Sequence, residues 1–229
     1  MATVGLPYRE GLEAPSFFGA LGDVQGRSVL DLACGDGVYT RWIRGRGAAS
    51  VTGCDLSADL IARACSIEAE RPLGITYTCH DVVTMPHLGL FNVVTAVHLL
   101  HFARTRSELA AMCDRVRAHL APGGRFIAVV AASRHDPARS NLAPYGIRIT
   151  HPEQLQEGDA FTVEVLTDPP LVLTNYHWRG TTYREQLTRS GFHHISWTPL
   201  APAHPNDQGM SFWDSYLDNP HVGILTADV

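Results

Sequence analysis

Apolar residues occur in short continuous runs and in helical spacing, and the two patterns alternate as far as Val130. Five runs read as buried strands: Ser28–Ala33, Ser50–Asp55, Ile75–His80, Phe91–Val97 and Gly124–Val130. Each is short, rich in β-branched or other apolar residues, and bounded by Gly, Pro or polar positions. Helical patterns lie between them at Val38–Arg46, at Ala58–Glu70 behind Ser57 as N-cap, and at Ser107–Leu120, which ends at the stop signal "APGG". Such alternation predicts an α/β fold, a doubly wound and mostly parallel sheet covered on both faces.

Beyond Val130 the pattern changes. Residues 133–159 are polar, carry prolines and show no clear period. "FTVEVLTDPPLVLTNYHW" reads as an antiparallel hairpin, Phe161–Trp178, turning at Asp168-Pro169-Pro170. A helix over Thr182–Ser190 closes at Gly191. "HHISWTPL" reads as a strand, "SFWDSYLDN" as a short helix and "VGILTA" as a last strand. With no internal repeat and no low-complexity linker, the expectation is one domain over 1–229, with 133–180 as a variable insertion.

Composition narrows the function classes. With 45% apolar and 18% charged residues, the 229-residue chain can build a full core. A net charge of −5 and eighteen scattered Lys and Arg argue against a nucleic-acid partner, which calls for a basic face. Five cysteines without a C-x-x-C pair argue against a disulfide framework or a zinc site. "MATVGLPYREGLEAP" lacks the layout of a signal peptide, and no run reaches membrane-spanning length. A cytoplasmic protein without a membrane partner, monomer or homodimer, is expected.

The stretch with chemistry is "SVLDLACGDGVYT", Ser28 to Thr40. In an open α/β sheet, ligands bind beyond the carboxyl ends of the strands, where the loop after the first strand lies. Gly35 and Gly37 allow a tight turn and close approach of the backbone. Asp55, at the end of the second strand, is placed to accept hydrogen bonds from the two hydroxyls of a ribose. A dinucleotide loop wants a third glycine where Thr40 stands. Asp31 and Asp36 beside the turn would repel a pyrophosphate, but they suit a cofactor with a positive amino group and a sulfonium. The charges therefore favour S-adenosylmethionine over NAD.

"VLDLACGDG" resembles the first motif of the class I S-adenosylmethionine-dependent methyltransferases, with Ala33 where the first glycine usually stands. "VTGCDLS", "CHDVVTMP", "FNVVTAVHLLHFA" and "LAPGGRFIAVV" resemble the next four motifs, in order. "GDVQGRSVLDLACG", "TNYHW", "RSGF" and the "DNP…GILTA" ending are similar to small-molecule methyltransferases of bacterial secondary metabolism, of the toxoflavin-methyltransferase type. The resemblance implies a Rossmann-like sheet of seven strands, the last antiparallel, with the hairpin covering an acceptor pocket. It also implies cofactor contacts from Asp31, Ala33, Cys34, Gly35, Gly37, Asp55, Leu56, Asp81, Val82 and Val97. Cys34 then packs beside the cofactor; methyl transfer needs no nucleophilic cysteine.

The acceptor side is expected after the fourth strand, where His98 and His101 depart from the Tyr and Asn of relatives and suit proton transfer. His177 is a third candidate. Tyr8, Tyr145, Tyr176 and Trp178 are candidate acceptor contacts; on an alternating strand Tyr176 and Trp178 share one face and His177 takes the other, so either set could line the pocket. The N-terminal segment through "SFFGALGDV" is expected to close over the cofactor as a helix. "DPPL" at Asp168 lies far downstream of the place where an amino-methyltransferase motif belongs, and reads as a turn. No metal site is expected from His193, His194 and His204. The implied function is methyl transfer to oxygen or nitrogen of a small molecule. The alternatives are a C-methyltransferase, a cofactor-binding protein without transfer, and, opposed by the missing glycine, a nicotinamide oxidoreductase.

Overall fold

The short apolar runs form strands because residues that stop them, glycine most often, stand just before them, and helix starts follow β1 and β2. In the structure, a computed structural model that describes residues 6–132, 135–136, 141–152, 154–203 and 210–229, they form a seven-stranded sheet. The strands are β1 (Ser28–Leu32), β2 (Ser50–Asp55), β3 (Thr76–Cys79), β4 (Phe91–Val97) and β5 (Leu120–Ala131), with β9 (His193–Thr198) and β10 (Val222–Asp228). Their order is β3-β2-β1-β4-β5-β10-β9. The first five run parallel, and β10 lies antiparallel between β5 and β9. The parallel strands are what the alternation predicts, and the Rossmann-like sheet of seven strands with the last antiparallel is what the resemblance implies.

Period-two alternation divides the strands between two cores. Leu30, Leu32, Val94, Ala96 and Phe126 face one layer with α4 (Arg106–Ala118) and α5 (Gly180–Arg189). Val29, Val51, Val93, Ile127 and Val129 face the other, with α1 (Ala14–Leu21) and α2 (Val38–Gly45). Helix α3 (Ala58–Glu70) starts at Ser57, whose hydroxyl accepts from Leu60 N at 3.3 Å as its N-cap. A π-helical turn, Arg9–Glu13, runs directly into α1.

Two expectations change. The fifth strand begins at Leu120, because the helix before it stops at Ala118 and Leu120 already pairs with Phe91. The hairpin, β7 (Ala160–Val165) and β8 (Leu171–Tyr176), gains a third strand, β6 (Ile147–Thr150), which pairs antiparallel with β7. This small sheet β6-β7-β8 has its own core of Tyr8, Leu12, Tyr145, Ile147, Phe161 and Tyr216. The last helix is α6 (Met210–Asp218), near its expected place. The expected start of the insertion, at 133–134, lies outside the described residues. Among the described residues no helix is long and apolar enough to cross a membrane.

Candidate active site

Where β1 and β4 lie side by side, the chain leaving β1 turns towards β2 and the chain leaving β4 turns towards β5. That divergence opens a crevice at their carboxyl ends. The loop Ala33–Gly37 enters it in an unusual backbone conformation. Ala33, Gly35 and Gly37 have φ of 54°, 58° and 82°, a left-handed region that favours glycine. Ala33 thus takes the conformation that a first glycine would. A Cβ at Gly37 would lie 2.4 Å from the Tyr77 hydroxyl, whereas one at Gly35 would meet nothing within 4 Å. Gly35 is the open side of the loop and Gly37 its packed side.

Asp31 sits beneath the loop, opposite Thr95 of β4 in the strand register. The Thr95 and Thr40 hydroxyls donate to its two oxygens at 2.7 and 2.6 Å. It is only 1% exposed, and burial pushes its carboxyl up to about 6 although both hydroxyls pull it down. The expected acid beside the turn is therefore a brace under it, with both oxygens engaged inside the protein. Cys34 is buried, and burial, then Asp31 and Asp55, push its thiol well above the ordinary range. A thiol held neutral is a poor nucleophile.

Asp55 ends β2 and bridges the crevice, with Gly35 N–H donating to one oxygen and Ser57 N–H to the other, both at 2.8 Å. It remains half-exposed. Beside it Leu56 is 70% exposed, a large apolar side chain at the rim of a ligand crevice. Asp81 is exposed at the end of the neighbouring strand, one oxygen accepting from Val83 N–H at 2.8 Å. Val82 and Val97 point into the two cores, so their side chains shape the crevice from behind. The open face of Gly35, the carboxylate of Asp55, and the uncovered Leu56 with Asp81 nearby fit an amino-acid moiety, a ribose and a flat base in that order.

The crevice continues into a cavity of about 770 Å³. Asp36 of the glycine loop stands in its wall, paired with Arg63 at 3.2 Å. Its floor carries His98, His101, Phe102 and His221. Its roof is the inner face of the small sheet: Phe161, Val163 and Val165 of β7, with Leu171, Leu173 and Asn175 of β8. Asn175 Oδ1 is buried without a hydrogen-bond partner among the described residues, an acceptor that a ligand donor would satisfy. Tyr8 and Arg9 close the side nearest the N-terminus.

Immediately after β4, His98 takes φ of 61°, unusual for a residue with a side chain. Its Nε2 lies 2.7 Å from Oε2 of Glu13, whose other oxygen accepts from the Tyr39 hydroxyl at 2.8 Å. His101 Nδ1 accepts from Ala131 N–H at 3.0 Å. Burial, then His98 and His221, hold the His101 pKa well below the ordinary histidine value, so its ring is neutral. His221 Nδ1 lies 2.7 Å from the Tyr216 hydroxyl, and burial brings its pKa to about 3.

Several expected acceptor contacts fall elsewhere. Tyr145 is buried in the small-sheet core with its hydroxyl donating to Phe212 O at 2.6 Å. Trp178 is buried on the first core, its indole donating to Ala103 O at 3.0 Å, and Tyr176 packs against the same core. His177 lies past the end of β8, its backbone N–H on Asp159 O, outside the cavity wall. Of the two sets weighed for the hairpin end, the inward face is the one that His177 continues, but the wall is formed earlier along it, at Leu171, Leu173 and Asn175. The run Phe-x-Val-x-Val and Leu-x-Leu-x-Asn shows that face in the sequence. Glu13 carries no such signal: it ends the π-helical turn that runs into α1, and its partner His98 is brought to it only by the tertiary fold. Among the described residues no three His, Cys, Asp or Glu gather as a metal site.

Known proteins with this geometry are consistent in kind. Residues 29–124 match the methyltransferase-domain family. The chain is similar to N-demethylindolmycin N-methyltransferase of Streptomyces griseus, 28% identical over 179 residues, 76% of this chain and 73% of that one. It is 30% identical over 104 residues to a ubiquinone biosynthesis O-methyltransferase of Coxiella burnetii, covering 45% of this chain and 43% of the other. The fold matches an S-adenosylmethionine-dependent methyltransferase from Mesorhizobium loti with a TM-score of 0.67 at 24% identity, over 95% of this chain and 97% of that one. Family match, relatives and fold together support a class I S-adenosylmethionine-dependent methyltransferase, with S-adenosylmethionine as its cofactor.

Proposed function

We propose that the enzyme methylates an oxygen or nitrogen of a small, largely apolar molecule held between the main sheet and the small sheet. One observation carries this reading: a single cavity of about 770 Å³ runs from the glycine loop at Asp36 to His98 at the end of β4. That volume lies within the range of small-molecule pockets, and its walls are chiefly apolar with a few polar groups, as such pockets usually are. The relatives named for methylation of N-demethylindolmycin and in ubiquinone biosynthesis support both oxygen and nitrogen as acceptors. The likeness to secondary-metabolism enzymes of the toxoflavin type points to a natural product. In this reading the chain works as one domain, with 133–180 as the acceptor-binding insertion.

Bound S-adenosylmethionine supplies an electrophilic methyl group on a sulfonium. Gly35, Asp55, Leu56, Asp81 and the backbone of Val82 would hold it; Asp31 and Gly37 keep the loop in shape. The cavity residues do the rest. The roof excludes water, the apolar walls align the acceptor atom with the crevice, and His98 is placed to take its proton. Alignment supplies the larger part of the acceleration, since it replaces a bimolecular encounter.

The test is native mass spectrometry with equimolar S-adenosylmethionine, S-adenosylhomocysteine and NAD, followed by an acceptor screen that reads S-adenosylhomocysteine formation. Retention of the first two and turnover with phenolic or heterocyclic N–H and O–H compounds is expected. Retention with turnover only at a carbon nucleophile would overturn the oxygen or nitrogen assignment.

A further inference from the structure

Protons behind the cavity are fixed by their partners. Glu13 is 1% exposed, and the Tyr39 hydroxyl and the His98 ring meet its two oxygens at 2.8 and 2.7 Å, contacts that suit an ionised carboxylate. An ionised carboxylate only accepts hydrogen bonds. Tyr39 donates to one oxygen, so the His98 ring nitrogen at 2.7 Å from the other, Nε2, carries a proton. On a neutral ring the remaining nitrogen, Nδ1, then holds a lone pair. The ring is 28% exposed and lies in the cavity wall, so Nδ1 is the polar atom left for a ligand. In His101 the bonding is reversed. Ala131 N–H donates to Nδ1, which places the proton on Nε2. The two rings stand edge to face, centroids 5.5 Å apart.

We propose that Glu13 is a positioning residue that holds His98 as the Nε2–H tautomer, so that Nδ1 takes the acceptor's proton while His101 Nε2–H donates to a neighbouring atom of the same molecule. This rests on the acceptor reading of the cavity and deepens it. The pair selects neutral acceptors in which an N–H or O–H lies next to a carbonyl oxygen or an unsubstituted ring nitrogen. In the reaction the X–H bond breaks, its proton goes to His98 Nδ1, and its electron pair stays on X to form the bond to the incoming methyl group. The positive charge given up by the methyl donor ends on the His98 imidazolium, beside the Glu13 carboxylate. The left-handed backbone at His98 agrees with this role, because local strain persists where surrounding contacts hold a functional side chain. Asn175 Oδ1 adds a second acceptor in the roof for a donor further along the molecule.

The measurement is nitrogen-15 NMR of the histidine side chains in the full chain with S-adenosylhomocysteine added. Shifts of the Gly35 and Gly37 amides report cofactor binding in the same sample, so failure of the cofactor reading is seen separately. The expected spectrum has a slowly exchanging proton on His98 Nε2 and a bare Nδ1. Glu13→Leu should abolish that slow proton while the His101 signal, which depends on Ala131, persists and reports an intact fold. A wild-type His98 protonated on Nδ1 alone overturns the proposal, and so does a slow Nε2 proton that survives Glu13→Leu. The wild-type spectrum decides the tautomer even where the variant does not fold.

Discussion

At the scale of single residues, Asp31 shows stability and function pulling apart. Its folded pKa of about 6 lies above the ordinary aspartate value of roughly 4, so between those pH values the folded state binds more protons than the unfolded one. Stability from this residue therefore falls as pH rises from about 4 to about 6, and above that range its ionised form costs up to roughly 3 kcal/mol. Asp31→Asn keeps a hydrogen-bonding group for both Thr40 and Thr95 and carries no charge. It should stabilise the protein at pH 7.5 by about 1–3 kcal/mol and at pH 4 by almost nothing. Urea unfolding of both proteins at the two pH values checks this; an equal difference at both would remove the buried charge as the cause. The same change should weaken S-adenosylmethionine binding, because a carboxylate beneath the loop favours the cofactor's positive groups.

At the scale of elements, legibility in the sequence followed length and locality. Runs β1 and β4 were readable because four or more consecutive buried residues are a local signal, and β2 because a short apolar run leads directly to the Ser57 N-cap of α3. β6 escaped because Ile147–Thr150 offers four residues and gains its identity only by pairing with β7. The glycine loop was legible for the same local reason, and Glu13 was not: its partner His98 is 85 positions away. The roof was half legible, since the hairpin was plain but the inward face was left open between two sets at its end, and the residues that line the cavity lie earlier on the His177 face. Leu173 tests the corrected face. It is half-buried on the cavity wall, so Leu173→Ala removes apolar contact with the acceptor and leaves the crevice at Asp55 intact. The expected loss is about tenfold in acceptor affinity, the worth of one or two methylene groups. Calorimetric titration should find S-adenosylhomocysteine affinity unchanged; a parallel loss of cofactor affinity would place Leu173 elsewhere in function.

At the scale of the whole molecule, two sheets of different standing meet across one cavity. β1 and β4 lie inside a seven-stranded sheet between two cores, so their amides are released only when the main sheet opens. The small sheet has three strands, and its outer face, with Arg148, Thr162, Glu164 and Thr174, is largely polar, so less apolar surface secures it. Hydrogen exchange should therefore separate two units, with β6–β8 opening at a lower free energy than β1 and β4. In the proposed reading S-adenosylhomocysteine touches only the crevice of the main sheet. At a hundred times its Kd it should add about 2.7 kcal/mol of stability and raise Tm by about 5–10 °C, while NAD raises it by almost nothing. Protection should rise at Cys34–Gly37 and around Asp55 and stay unchanged in β7 and β8, because the cofactor contacts the sheet that is already closed. An acceptor bound in the cavity should be what protects the small sheet, since Phe161, Val163 and Leu173 then gain an apolar partner that water had denied them. Equal protection of both sheets by S-adenosylhomocysteine alone would mean that cofactor binding also closes the roof, and that the two sheets open as one unit.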